Sequence, residues 1–463
     1  MRAKRARFGL ALLVTLAALV AAAGCGDDGS PSSATSPGTT SADRTASFRG
    51  VTADAVKVGV PLLDFKAIEQ YVDFKRPDGK TVYQTFVDYY NAHGGINGRK
   101  IDPVYEVYNP VDSAAALAVC TRFTEDEEVF AVVGIFYDIG GAGDAQLCVT
   151  REHETILVGT DLSQDWIDKA PPGLLVTDAV TPERTLSALM SALGQAETLR
   201  GQKVGVLADG VTQARAKDVV SPALSDQGAE RGTLAVLDIV GEDTAAAQAQ
   251  LDAYVERWRT EKIDALIMVG EKVAAKQFVE KIKASLPDLL LIADSGTSVE
   301  TAATDETAAG RDPNPYEGAL AIGGLNSTDG EQIKDPGMQR CIKIWESAHP
   351  ELKAIDPMLR KPGSDGKRLE TYEAVQDACT QFEVFRQIAE RAGSNLTNAT
   401  WQHAVDTYGP IKLPATAYSS FAKGKYDADD GFRLREWDST IGETGGWKNL
   451  TEIYNTAEDA SAG

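Results

Sequence analysis

Short β-branched runs alternate with amphipathic stretches along most of the chain. Val56-Lys57-Val58-Gly59-Val60 has the composition of a buried strand. A polar loop follows from Asp64 to Lys80. Val82, Phe86 and Tyr89 then recur at helical spacing, with Gln84, Asp88 and Asn91 on the opposite side. Gly94-Gly95 ends this helix, because glycine enters the left-handed region without steric cost. Ile101 to Tyr108 is a second strand. Strand, helix, strand in that order predicts a parallel pair with a right-handed crossover.

The rhythm continues. A helix is predicted from Ser113 to Phe123, a buried strand from Phe130 to Ile135, a helix carrying Gln146 and Cys148, and strands at Thr155–Gly159 and Gly173–Val176. Thr181 is placed as an N-cap with Pro182 at the first helical position. Strands follow at Val204–Ala208, Leu234–Val240, Ala265–Val269 and Leu289–Ile292, and Gly318 to Ile322 is expected to lead the chain back toward its first half near Gly323-Gly324. Between them Ala247, Leu251, Tyr254, Val255 and Trp258 share one helix face. Helices over Met338–Ala348 and Leu369–Ala392 and a late strand at Phe432–Trp437 complete the pattern. Strands alternating with helices in this way predict an α/β protein built on doubly wound parallel sheets. The 463 residues suffice for two domains of ordinary size.

The first residues break the pattern. Arg2, Lys4, Arg5 and Arg7 precede an apolar stretch from Phe8 to Ala23, which is too short for a stable membrane span. It ends at Ala22-Ala23-Gly24-Cys25, which looks like a lipobox, so residues 1–24 are expected to be removed and Cys25 to carry lipid. Gly26 to Phe48 is rich in Ser, Thr, Gly and Pro and is expected to be a flexible tether. The net charge of −22 rises in magnitude once the basic leader is gone. Such acidity argues against nucleic acid as a partner.

Cysteine use fits export. With Cys25 lipidated, Cys120, Cys148, Cys341 and Cys379 remain, an even number that suggests two disulfides. Three pairings are open. Cys120–Cys148 and Cys341–Cys379 are preferred, each lying within one supersecondary unit. No CxxC occurs and the four histidines are scattered, so no metal is expected.

Ligands of open α/β sheets bind beyond the carboxyl ends of the strands, where helix N-termini also converge. The candidate ligand contacts are therefore Asp64 and Phe65, Phe136, Tyr137 and Asp138, and Thr160 and Asp161 in the first half. In the second they are Asp209, Glu271, Asp294 and Ser295. The glycines at 134, 140, 141 and 143 do not have nucleotide-loop spacing, and Phe74 stands where a P-loop ending in Gly79-Lys80-Thr81 needs glycine. No cofactor is expected. A hydrolase would need a nucleophile elbow, and around Ser295 the positions of its glycines hold Ala293 and Thr297. The chain is not expected to be an enzyme.

Val56-Lys57-Val58-Gly59-Val60-Pro61-Leu62, followed by Tyr90-Asn91-Ala92-His93-Gly94-Gly95-Ile96-Asn97-Gly98-Arg99-Lys100-Ile101, resembles the first βαβ unit of the branched-chain amino acid (leucine/isoleucine/valine) binding proteins. These are type 1 periplasmic solute-binding proteins of ABC transporters. Thr371-Tyr372-Glu373-Ala374-Val375 resembles a later helix of the same family. The resemblance implies two lobes joined by three crossovers, a small ligand held between them, and delivery to an ABC permease. On that basis lobe one takes residues 50–177 and 324–424, lobe two takes 178–323 and 425–457, and 458–463 form a tail. The third crossover falls between Tyr418 and Gly431. Where amino-acid-binding relatives carry Gly-Pro-x-Ser-Ser, this chain has Gly134-Ile135-Phe136-Tyr137-Asp138, whose aspartate would repel a carboxylate. The expected guest is an amine, amide, amino acid or small peptide. A monomer is expected, and a ligand-sensing subunit for a membrane receptor is the alternative to transport.

Overall fold

A computed structural model describes residues 45–69, 74–138, 143–239, 245–294, 296–312, 314–325, 330–354, 367–442 and 445–459. The leader, Cys25, most of the tether, Ser295 and the last four residues of the tail lie outside them.

Lobe one is built on β1 (Ala55–Leu63), α1 (Gly79–Ala92), β2 (Lys100–Tyr108), α2 (Ser113–Thr121), β3 (Ala131–Val133), α3 (Asp144–Leu147), β4 (Ile156–Gly159), α4 (Gln164–Lys169) and β5 (Leu175–Thr177). Its sheet has the order β2-β1-β3-β4-β5. Every pair in it is parallel. Both faces are covered, so the inner strands are largely apolar, and β4 is buried from end to end, whereas the edge strand β2 keeps Lys100 and Asp102 exposed. Lobe two follows with α5 (Pro182–Gln195), β6 (Lys203–Asp209), β7 (Glu230–Leu237), α6 (Ala245–Glu261), β8 (Ala265–Val269), α7 (Lys276–Ser285), β9 (Leu290–Ala293), α8 (Gly296–Ala308) and β10 (Leu320–Gly323). The chain then returns to lobe one for α9 (Pro336–Ala348), α10 (Thr371–Ala392) and α11 (Asn398–Asp406). It ends in lobe two with β11 (Gly431–Asp438) and β12 (Gly446–Asn449).

The cores are separate. One apolar cluster joins the early strands to Trp345, Phe382, Phe385 and Trp401 from the returning helices. Two others lie on opposite faces of the second sheet, around Trp258 and Phe278 on one side and Leu189 and Leu193 on the other. Both disulfides belong to lobe one: Cys120–Cys148 and Cys341–Cys379.

The second sheet, ordered β12-β11-β10-β9-β8-β6-β7, departs from the all-parallel expectation. β11 runs antiparallel to β10, and β12 antiparallel to β11. The parallel strands of each lobe end at the boundary between the lobes. A strand entering from that boundary without a crossover helix must therefore run the other way. Three crossovers connect the lobes: from β5 to α5, after β10, and before β11. The first and third lie side by side, since Thr177 bridges Asp427 in parallel. Arg184, in the first turn of α5, ties them, donating to Asp427 at 2.5 Å and to Asp430 at 2.6 Å. Both carboxylates are buried.

The Asn91–Lys100 string proves architectural. The Asn91 side chain accepts from Ile101 N at 2.7 Å and donates to its carbonyl at 2.9 Å, pinning the end of α1 to the start of β2. Gly95 sits at φ +59, and a Cβ there would fall 1.9 Å from the Arg99 carbonyl. Asn97 donates to the last carbonyls of α10, and Arg99, almost fully buried, donates to the carbonyls of Thr52 and Thr45.

Candidate functional site

A cleft of about 850 Å³ opens where the strands of the two lobes end. From lobe one it receives Tyr137, beyond β3, and Asp161, beyond β4. From lobe two come Asp209 at the end of β6, Glu271 beyond β8, and Asp294 beyond β9. Five of the anticipated residues thus meet on one surface, each carried there by a strand end as the topology requires.

Their side chains are not equally free. Tyr137 donates its hydroxyl to Asp161 at 2.6 Å. Burial first, then the neighbouring Asp161 charge, raise the Tyr137 pKa well above the tyrosine range. Asp161 itself is exposed and adopts φ +52, a left-handed conformation that aspartate tolerates better than most residues. Asp209 turns one oxygen, Oδ1, to its own loop, accepting from Val211 N at 2.9 Å, Thr212 N at 2.8 Å and the Thr212 hydroxyl at 3.0 Å. Asp294 is 7% exposed and accepts from Gly270 N with both oxygens, at 2.9 and 3.0 Å. Burial outweighs those bonds and lifts its pKa to about 6. Glu271 is raised by burial and by Asp161.

The other anticipated residues sit elsewhere. Asp64 caps a short helix at Phe65–Ile68, accepting from Lys66 N at 3.0 Å. Phe65 packs edge-on against Phe74 and lines a separate small cavity with Arg76 and Asp377. The loop beyond β1 turns under the start of α1, which keeps both residues out of the cleft. Phe136, Asp138 and Thr160 line a second cavity within lobe one that shares Tyr137 and Asp161 with the cleft. Phe136 is buried edge-on against Tyr108.

Several lining residues were not anticipated. Glu300 and Asp429 add carboxyls and Arg215 and Arg435 add cations, while a third cation, Lys272, comes from the anticipated loop of Glu271. Burial raises Glu300, and Asp429 is lifted to about 7 by burial and by Asp430. Beside the cleft Asp178, at the first crossover, is raised well above the carboxylate range by burial, then by Asp377 and Asp161. Arg435 reaches across the sheet edge over the Trp447 ring, 5.0 Å from its centroid. Arg215 lies in the first turn of the helical segment that follows the loop beyond β6, a strand-end position that could have been read from sequence, whereas Arg435 is mid-strand, where sequence alone carries no signal that a side chain reaches a cleft. Val180, Val211, Ile322, Leu325 and Phe432 give the same walls apolar patches, and Val211 is 81% exposed.

Among the described residues no histidine or cysteine lines the cleft. Cys120, Cys148 and His153 lie close enough together to suggest a metal, but the two sulfurs are bonded to each other.

No protein-family model and no curated protein sequence matches this chain. Solved structures do. A substrate-binding protein of an ABC transporter from Desulfitobacterium hafniense, in complex with Leu, superposes with TM-score 0.58 at 14% identity, over 85% of this chain and all of that one. The fold is that of a type 1 periplasmic binding protein. A fatty acid ABC transporter substrate-binding protein from Thermomonospora curvata shares the fold at TM-score 0.58 and 15% identity, covering 89% of this chain and 95% of its own. So does a solute-binding protein from R. palustris in complex with 4-hydroxybenzoate, at TM-score 0.58 and 14% identity, over 87% of this chain and 97% of that one. In the periplasmic-binding-protein arrangement seen here, the walls of the cleft belong to different lobes, joined through the crossovers and by a hydrogen bond from Gln164 N to Glu183 at 3.1 Å.

Proposed function

We propose that this chain is an extracytoplasmic solute-binding protein that closes its two lobes over a small molecule and presents it to an ABC permease. The guest carries N–H donors or a positive charge at one end and an apolar body. One observation supports this above the rest: six carboxyl side chains and three cations line the cleft, and apolar side chains from both lobes stand between them. An anionic guest would face net repulsion there, and a cationic one would discharge carboxyls that burial leaves poorly solvated. Hinge bending at the three crossovers would move the lobes as rigid bodies, each keeping its own core. Lipid on Cys25 would hold the protein at the outer face of the cell membrane as a monomer.

The test is a thermal-shift screen of the purified chain against amines, amides, amino acids, short peptides, sugars and dicarboxylates, followed by calorimetric titration. Ligand bound by the native state alone raises the midpoint by mass action. The largest shifts are expected from amines and amides. Tight binding of a dicarboxylate, with none of amines or amides, would overturn the proposal.

A further inference from the structure

The second cavity, about 220 Å³, lies wholly in lobe one behind the Tyr137–Asp161 pair. Phe136, Tyr137 and Trp166 give it aromatic walls, and Asp138, Gln146 and Asp161 give it oxygens. Asp138 is 5% exposed and Gln146 is 1% exposed. Asp138 Oδ2 accepts from Ala145 N at 3.3 Å, and Gln146 Nε2 donates to the Phe136 carbonyl at 2.5 Å. The second bond also fixes the orientation of the Gln146 amide. What remains is Asp138 Oδ1 and Gln146 Oε1, both buried and both without a hydrogen-bond partner.

Two buried acceptors in one cavity, one of them on a carboxylate, are costly unless something donates to them. A neutral acceptor or an anion cannot do so. An ammonium group offers three donors and a charge, and aromatic faces attract the same charge. The cavity is also firmly shaped: a Cβ on Gly143, at φ +91, would fall 2.4 Å from the Trp166 ring, so the indole rests directly on glycine backbone.

We infer that this side cavity receives the primary ammonium end of the guest while the apolar body lies toward the cleft. The inference rests on the solute-binding reading and narrows it to amines bearing an alkyl or aromatic body. Asp138 accepts the charged hydrogen bond, Gln146 accepts a second, and the Tyr137–Asp161 bond forms the threshold between the two spaces.

The probe is 2-phenylethylammonium, titrated calorimetrically into the full chain, with the neutral alcohol and the carboxylate of matching size as controls. The ammonium compound alone is expected to bind. Asp138→Asn, which keeps an acceptor for Ala145 N, should weaken it at least tenfold, the range of a charged hydrogen bond. Trp166 emission should change on binding, and Trp166→Phe should abolish that change with little loss of affinity. This second readout decides the matter if Asp138→Asn folds poorly. Ammonium binding that ignores Asp138→Asn and leaves Trp166 emission unmoved would overturn the inference. If that binding is still lost in Asp294→Asn, the solute-binding reading stands without the side cavity. Binding of the carboxylate in place of the ammonium compound, or of neither, would overturn the inference, and a thermal-shift screen favouring dicarboxylates would bring down the wider reading with it.

Discussion

Asp294 offers a sharp trade between stability and binding. Its carboxyl ordinarily titrates at 3.8 and is held at about 6 in the folded chain, chiefly because burial disfavours the charge. A folded-state pKa above the unfolded one gives stability that is fully present below 3.8 and lost as pH rises through about 6. The gap corresponds to about 3 kcal/mol at neutral pH. Asp294→Asn removes the buried charge and keeps one acceptor for Gly270 N, giving back about 1–1.5 kcal/mol through the weaker bond. The variant should therefore be about 1–2 kcal/mol more stable than the parent at pH 7.5, with the advantage gone near pH 4. Urea unfolding at pH 4, 5, 6 and 7.5 reads this directly from the midpoints at constant slope. A guest whose charge lies in the cleft, outside the side cavity, would bind the same variant at least tenfold more weakly, whereas one whose ammonium end sits at Asp138 would keep its affinity. A variant less stable at pH 7.5, or a difference from the parent that does not vary with pH, would refute the account of the charge as buried and only partly compensated by Gly270 N.

Other outcomes follow from the same reasoning. Arg184→Leu leaves Asp427 and Asp430 buried beside Lys425 alone and should cost about 3–5 kcal/mol in urea unfolding. Replacing Cys341 and Cys379 by alanine opens a bridge spanning 38 residues and should cost about 2–4 kcal/mol without changing guest affinity, measured by unfolding and titration on one preparation. Gly143→Ala forces the Trp166 ring from its seat at an unfavourable φ, so both the melting midpoint and Trp166 emission should change. Cys25→Ser should release the chain from the membrane fraction in a fractionation assay, leaving guest binding by the soluble form intact.

The lobes were legible because buried parallel strands announce themselves: Val56–Val60 and Ala265–Val269 read as strands and are strands. The cleft was half legible. Tyr137, Asp161, Glu271 and Asp294 follow strands, and position after a strand is visible in a sequence. Asp209 follows one too, but only coordinates reveal that its Oδ1 is committed to Val211 and Thr212. Asp64 and Phe65 misled for the same reason, since the path of a loop depends on what lies beneath it. Arg215 was readable, being in the first helical turn after β6, but Arg435 and Asp429 reach the cleft through the packing of distant segments, which hydrophobic periodicity does not encode. The antiparallel β11 was hidden likewise, because strand direction follows from where the chain re-enters, not from composition.

The threefold passage between lobes has a consequence for biogenesis. Neither core is complete in any continuous stretch: lobe one awaits Phe382, Phe385 and Trp401, and lobe two awaits Phe432, Leu434 and Trp437. A polypeptide emerging from its N-terminus cannot close either half until its final hundred or so residues have been made. In the exported protein proposed above it would stay loose while being threaded out of the cell, and would gain rigidity only on the side where its guest is found.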